Sequence, residues 1–459
     1  MKKLLFIINF LVIVIVNAQI QGYNDLGVLM TNQNKQTTAR TMSMKGAFGA
    51  LGGDLSALSI NPAGAAVFNY SAFAMTMGYN NASLNSNFYG TSTDNTQENF
   101  NIPQIGGVIV FENDNNSSLN KIAFGINYNL LNDFKNSWIS KGNSIPTWTY
   151  NIFNTADANV YNVLESQEYK NITSGSQSEL NFTMAADINN TLYIGGSFNS
   201  YDFNFIEDAT RSEIANDGNG HSVDAFESFW QKQKGNGFSM SAGFIYKPIH
   251  NLRLGVSYTS PVWYEVHEES NMFGLDNNDV VGYYDVLYSV DPPSYYNDKD
   301  KISAFDYQLK TPSKLTGSIA VILDKTGIIS ADVTRQNYKG IYLYPNSEFP
   351  DFNKIFDQNL RETYALNLGT EWRIEKTSVR GGYSYAQSPY INAFSTDNLQ
   401  GYSIGVGHNF GNYIFDLAYD FSEQTGYYNY YSDLGLNYID GAELSKKNNK
   451  LLATLTYKF

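Results

Sequence analysis

Cysteine is absent from the chain. That excludes a disulfide, thiolate catalysis, a cysteine metal set and a lipid anchor on an N-terminal cysteine. Histidine is scarce: His221, His250, His267 and His408 are scattered, and no pair stands at a metal-ligand spacing. Gly46, Gly49, Gly52 and Gly53 miss the G-x-G-x-x-G spacing, and no lysine-serine pair closes a Walker motif. Close backbone packing explains such glycines better than phosphate binding. The apolar run 4–16 is too short for a comfortable transmembrane helix, and no other segment is long and apolar enough to span a bilayer as a helix. Positive charge is in deficit: 30 Lys and Arg stand against 44 Asp and Glu, a formal charge of −14. That balance argues against a nucleic-acid partner and favours repulsion at an exposed surface. No motif requires a cofactor or a metal.

What is present points one way. Lys2 and Lys3 precede the apolar residues 4–16, and Val16-Asn17-Ala18 ends on a small residue. This reads as a secretory signal peptide, residues 1–18, cut before Gln19. Losing the two lysines takes the formal charge from −14 to −16. Tyrosine (35), phenylalanine (29) and glycine (37) are abundant while mean hydropathy is slightly negative. A helical membrane protein would be far more apolar. An outer-membrane barrel gives this composition, because only every second strand residue faces lipid. The final run fits: Leu451, Ala453, Leu455, Tyr457 and Phe459 share one face of a strand, with Leu452, Thr454, Thr456 and Lys458 on the other. An apolar edge of that kind is tolerated where closure pairs it with the first strand. Tyr457 and Phe459 would then join the periplasmic aromatic girdle, and the strand would engage the barrel-assembly machinery.

Alternation and turn signals give about fourteen strands. They are expected near 71–81, 101–114, 121–133, 176–188, 191–207, 236–248, 251–268, 303–323, 326–341, 357–374, 376–389, 399–411, 413–425 and 446–459. Leu180, Phe182, Met184 and Ala186 share a face; Tyr413, Phe415, Leu417, Tyr419 and Phe421 face outward with Asp416 and Asp420 opposite. Short connections, such as Asn189-Asn190, Glu375-Lys376 and Gly411-Asn412, alternate with long ones near 134–175, 208–235 and 269–302. Short periplasmic turns and long external loops are the barrel pattern. Within one loop, residues 223–234 read as a helix. Ser222 caps it, Gly235 ends it, and Val223, Phe226, Phe229 and Trp230 form its apolar stripe. That stripe either packs on other loops or gives an apolar ligand its first landing site. The phase carried from Leu254, Val256 and Tyr258 turns His267 inward unless Pro261 bulges the strand.

Residues 19–68 are not strand-like and are too few to hold a core alone. They read as a plug inside the barrel of residues 69–459. Asp54 can cap a short helix that Asn61-Pro62 ends. Ala39-Arg40-Thr41-Met42-Ser43, then Gly46-Ala47, Asp54-Leu55-Ser56 and Asn61-Pro62-Ala63-Gly64, resembles the N-terminal hatch of the FadL-type long-chain fatty acid transport proteins. Leu254-Gly255-Val256-Ser257-Tyr258-Thr259-Ser260-Pro261-Val262, Ile329 to Val333 and Val379 to Tyr383 look similar too. The resemblance covers nearly all of the chain after residue 18. It implies a transmembrane antiparallel β-barrel of about fourteen strands with a helical hatch. It also implies residence in the outer membrane of a Gram-negative bacterium, in contact with its lipid, and passive uptake of hydrophobic small molecules, long-chain fatty acids foremost. The ligand would be caught at external loops, move to an apolar pocket above the hatch and leave sideways through the wall.

Residues follow from these roles. The hatch motif is Arg40, Gly46, Ala47, Asp54, Asn61, Pro62 and Ala63. Ligand-binding candidates are Ile20, Tyr23, Met42, Phe48, Leu51 and Arg380. Arg40, Lys45, Asp332, Glu371 and Arg380 form a lumenal charge network, or else Arg40, Lys45 or Arg380 binds a ligand carboxylate. Pro103, Gly106, Gly107 and Gly125 are candidates for a lateral opening, since proline and glycine interrupt or curve strands. Phe226, Phe229 and Trp230 are capture candidates. Besides a general porin, which the plug disfavours because it should block ion flow, two other classes compete with uptake. One is a non-transporting barrel that serves protein secretion as an attachment or shuttle component. The other is a serine-histidine lipase barrel, which needs His and Ser on the lipid-facing surface.

Overall fold

The computed structural model describes residues 23–31, 36–113, 118–151, 153–154, 156–271, 283–290, 292–297, 302–324, 326–428 and 441–459. Strands with one apolar and one polar face are satisfied together when the sheet closes with the apolar face outward. Here fourteen antiparallel strands do so. They are β1 (Ala72–Phe88), β2 (Thr91–Glu112), β3 (Leu119–Asp133, resuming as Asn136–Lys141), β4 (Val163–Ile188), β5 (Leu192–Asn216), β6 (Ser222–Ile249) and β7 (Leu252–Thr259, resuming as Trp263–Ser270). Then come β8 (Ser303–Lys310 and Lys314–Leu323), β9 (Gly327–Asn337, with Tyr342–Tyr344), β10 (Glu362–Ile374), β11 (Thr377–Ala386), β12 (Leu399–Asn409), β13 (Tyr413–Tyr428) and β14 (Ala442–Lys458). β1 and β14 close the ring, from Ala72↔Lys458 to Asn87↔Glu443. Tyr457 faces outward and stacks on Tyr413 and Phe459.

One end carries tight turns. Asn189, Asn190, Asp324, Glu375 and Gly411 adopt positive φ there, as two-residue hairpins require. At the other end several strands run far beyond the expected spans. Residues 208–235, read above as a loop, are strand, joined by a tight turn at 217–221. Residues 223–234 are therefore not helical. They continue β6 and pair with β5 from Ala215↔Val223 to Asn204↔Lys234. Ladder hydrogen bonds along the whole segment outweigh the helical spacing, which arose because both faces of β6 carry aromatics. Val223 and Phe229 point inward; Phe226 and Trp230 point outward. A hairpin of Tyr283–Ser289 and Ser294–Asn297 is added to the same part of β6. β7 breaks at 260–262, and its phase slips by one residue. His267 consequently points outward, where it meets Asp306 at 2.7 Å.

Inside the ring lies a compact segment, residues 36–68. It holds α2 (Ala39–Met42) and two 3-10 turns, Leu55–Ser59 and Pro62–Val67. Each turn is started by a side chain. Thr38 accepts from the Thr41 N–H, Asp54 from Ser56 and Asn61 from Ala63. Above it, α1 (Tyr23–Thr31) inserts Val28 and Met30 into an apolar cluster. Its other members include Leu131, Phe134, Phe203, Tyr264 and Phe356, the last from α3 (Pro350–Asn359).

Candidate functional site

The lumen is layered. At its base the segment 36–68 is tied to the wall all round. The Ala39 N–H donates to Thr454 Oγ1 (2.7 Å), and the Gly49 N–H to Asp332 Oδ2 (2.9 Å). Ser330 Oγ donates to the Ala47 carbonyl (2.7 Å), and Arg253 Nη1 to the Leu51 carbonyl (2.8 Å). Asn61 does the most with one side chain. Its oxygen caps a turn, and its amide donates to the Gly49 carbonyl at 2.7 Å and the Phe244 carbonyl at 3.1 Å. Backbone meets backbone where the wall has no side chain. A Cβ built on Gly195 would lie 2.6 Å from the Pro62 carbonyl carbon, and one on Gly382 would lie 2.6 Å from that of Met44.

Charge reinforces these ties. Arg40 and Arg380 converge on Glu371, at 2.9 and 2.7 Å, and Arg380 also holds Asp416 at 2.7 Å. Arg373 reaches Glu371 as well. Arg40 further donates to the Gly53 carbonyl and lies over the Phe48 ring. Opposite charges that are buried together satisfy one another where either alone would be costly. The structure thus joins Arg40, Glu371 and Arg380 in one network with Asp416. Lys45 is elsewhere, on Asp420 and the Phe421 carbonyl. Asp332 grips the Gly49 backbone rather than an arginine. Asp416 had been placed on the inner face by its alternation, but nothing in its spacing announced Arg380 as its partner.

A chamber of about 330 Å³ lies directly above this segment. Of the ligand candidates, Met42 lines it. Phe48 and Leu51 are buried beneath it, in a cluster with Met44, Ala50 and Ala57. Arg380 is committed to its two carboxylates. Ile20 lies outside the described residues, as does the side chain of Tyr23. Gly46 and Lys45 also line the chamber, while Asp54, Asn61, Pro62 and Ala63 build the segment below. The apolar region is farther from the base, and α1 fills it. Wall side chains serve the end of this helix: Gln177 donates to the Met30 carbonyl at 3.1 Å and Asn132 to that of Leu29 at 3.4 Å.

Beside that apolar region the wall is discontinuous. β2 and β3 pair from Glu112↔Lys121 to Gln104↔Asn129 and no farther. Beyond that point β2 stays paired with β1, and β3 and its continuation Asn136–Lys141 pair, among the described residues, with β4 alone. Pro103 sits where the ladder ends, in a bulge that slips the phase so that Pro103 and Gln104 are both buried. Proline has no N–H for the missing ladder bond. Gly106, Gly107 and Gly125 lie in the regular ladder below the gap. Gly125 gives way to Leu58 of the lumenal segment. The Asn99 amide bridges the seam to the Asp133 carboxylate. Leu131 and Phe134, on the β3 side, belong to the cluster around α1.

The other candidates are dispersed. Phe229 is buried inside the extension with Trp138, Tyr169 and Tyr428; Phe226 is exposed outside. The outward groove at His267 is lined by Asp202, Glu265, Asp306 and others, and among the described residues by no serine.

No family model and no curated protein matches the sequence. Solved structures do match. A FadL homologue from Pseudomonas aeruginosa superposes with a TM-score of 0.59 at 14% identity, over 94% of this chain and 100% of that one. The toluene transporter TodX of Pseudomonas putida gives 0.53 at 12% identity, over 94% and 99%. The toluene transporter TbuX of Ralstonia pickettii gives 0.50 at 15%, over 92% and 98%. At these identities the likeness concerns architecture, and on that evidence the chain has the FadL-type fold, a fourteen-stranded barrel closed around its own N-terminal segment.

Proposed function

We propose that this chain is an outer-membrane channel for passive uptake of hydrophobic small molecules with a long apolar part, the class that includes long-chain fatty acids. Residues 36–68 act as the hatch. The observation that carries the reading is the seam between β2 and β3. It stands beside the apolar cluster that α1 occupies, and the outward residues flanking it, Phe100 and Ile102, are exposed and apolar. A ligand displacing α1 gains about 25 cal/mol for each Å² of apolar surface it buries. From there lipid is reached sideways, without crossing the charged base. The similar FadL and TodX structures are of transport proteins by name, which supports the same reading.

The test is mass spectrometry of small molecules retained by the barrel after purification in a detergent unlike any fatty acid. Apolar molecules at near-stoichiometric amounts are expected. A barrel that is empty, binds no added apolar ligand and co-purifies with a secretion component would replace uptake with the secretion-scaffold reading.

A further inference from the structure

The chamber above the hatch is not purely apolar; polar side chains line it beside apolar ones such as Met42, Ile60 and Leu399. Across β8 to β13 its wall presents Thr316, Thr334, Gln336, Asn367, Ser384 and Ser422. These are hydroxyls and amides, from strands whose outer faces are aliphatic and aromatic. The chamber adjoins the apolar cluster through Tyr201, Val262 and Tyr338, which belong to both. So the lumen has two faces, one built for hydrogen bonds and one for hydrocarbon. A purely apolar cargo such as an aromatic hydrocarbon would leave the first face unused.

Its charge is informative. Two lysines line it, Lys45 and Lys314, against three carboxylates, Glu179, Asp332 and Asp420. Lys45 is held by Asp420, and Lys314 has partners of its own. Arg40 and Arg380, the guanidinium candidates for a carboxylate, are spent on Glu371 and Asp416. An anionic head would enter a site with a surplus of negative charge. The unspent donor is neutral: Gln336 lines the chamber and is only 9% exposed, and among the described residues its Nε2 has no hydrogen-bond partner, while Asp332 leaves its acceptor Oδ1 unpartnered as well. A buried donor left unpaired costs about 1–3 kcal/mol. An acceptor on a ligand removes that cost.

Resting on the uptake reading, we propose that the chamber is a subsite for the uncharged, hydroxyl- or amide-bearing head of an amphiphile, whose tail takes the place of α1 on the aromatic face. The volume suits a head of glycerol or single-sugar size. The preferred cargo class is then a neutral amphiphile, such as a monoacylglycerol, over a free fatty acid.

The test uses the full barrel in lipid nanodiscs and three ligands with the same dodecyl tail: monododecanoylglycerol, dodecanoate and dodecane. Binding is measured above the carboxyl titration range, so that dodecanoate is ionised. The glyceride is expected to bind roughly 10-fold more tightly than dodecanoate. Gln336→Leu should weaken the glyceride about 5–10-fold, one hydrogen bond's worth, and leave dodecane unchanged. Ser384→Ala, at a half-exposed position, is the milder variant should Gln336→Leu not fold, and should act in the same direction. Dodecanoate binding as tightly as the glyceride, or equal losses for glyceride and dodecane, would overturn the head-group assignment while leaving the channel intact. Failure of all three ligands to bind a folded barrel would instead remove the uptake reading itself.

Discussion

Single side chains decide whether the lumenal segment stays in place. Glu371 is almost fully buried between Arg40 and Arg380. Glu371→Gln leaves the guanidiniums of Arg40 and Arg380, and the more exposed one of Arg373, without their shared counter-ion, a change that costs about 3–5 kcal/mol in buried pairs. The expected outcome is faster hydrogen exchange across residues 36–68 with the strands unaffected. Gly382→Val should act by sterics instead, since its Cβ would strike the backbone carbon of Met44. Unequal protection of the barrel itself in either variant would show that the segment holds the wall together rather than merely sitting in it. Part of this was legible beforehand. Asp54 was readable as the cap of a short helix, because capping is local. Asn61 reads as the end of that helix and proves also to start the next turn, and Thr38 was not singled out. The partners of Asp332 and Asp416 were not legible, because they depend on which strand residues share a level, and register is a property of the closed ring.

At the scale of elements, the uptake proposal assigns the moving parts to the seam and the helix beside it. Because the chain has no cysteine, Asn99→Cys with Asp133→Cys would be its only thiols. A short bis-maleimide bridge between them should stop uptake of a fluorescent apolar ligand, with binding retained. Uptake unchanged in the bridged protein would exclude the seam as the route. Met30→Ala should act in the opposite sense. Removing a fully buried Met costs about 2–5 kcal/mol, which loosens α1 and raises apparent ligand affinity, measured by titration. The extensions show where local reading fails. Asn216-Asp217-Gly218-Asn219-Gly220 is a strong hairpin signal, and Gly218 and Gly220 do take positive φ. It marked the tip of two long strands. The cap and stripe of residues 222–234 competed with it, and strand pairing with β5 won.

The whole molecule is divided between lipid and water by its outward face. Level by level, Leu192 with Tyr246 and Leu254, Ile194 with Phe244 and Val256, and Phe198 with Phe182 and Met240 are apolar. Phe238 and Trp263 stack above them like an upper girdle. The next level is Asp202, Asn236 and Glu265, and the apolar band ends there. β4, β5 and β6 do not end with it. Phe226 lies twelve positions beyond Phe238 on β6, roughly 40 Å along the strand. Phe226 therefore stands well clear of the apolar band, and a ligand caught there, if the extension serves capture, would have to travel down it to reach the chamber. Tryptophan placed at Met240 should be quenched strongly by brominated lipid, and tryptophan placed at Phe226 should not. Quenching at both positions would lay the extension on the membrane surface, and a ligand could then reach the seam from lipid without passing through the lumen at all.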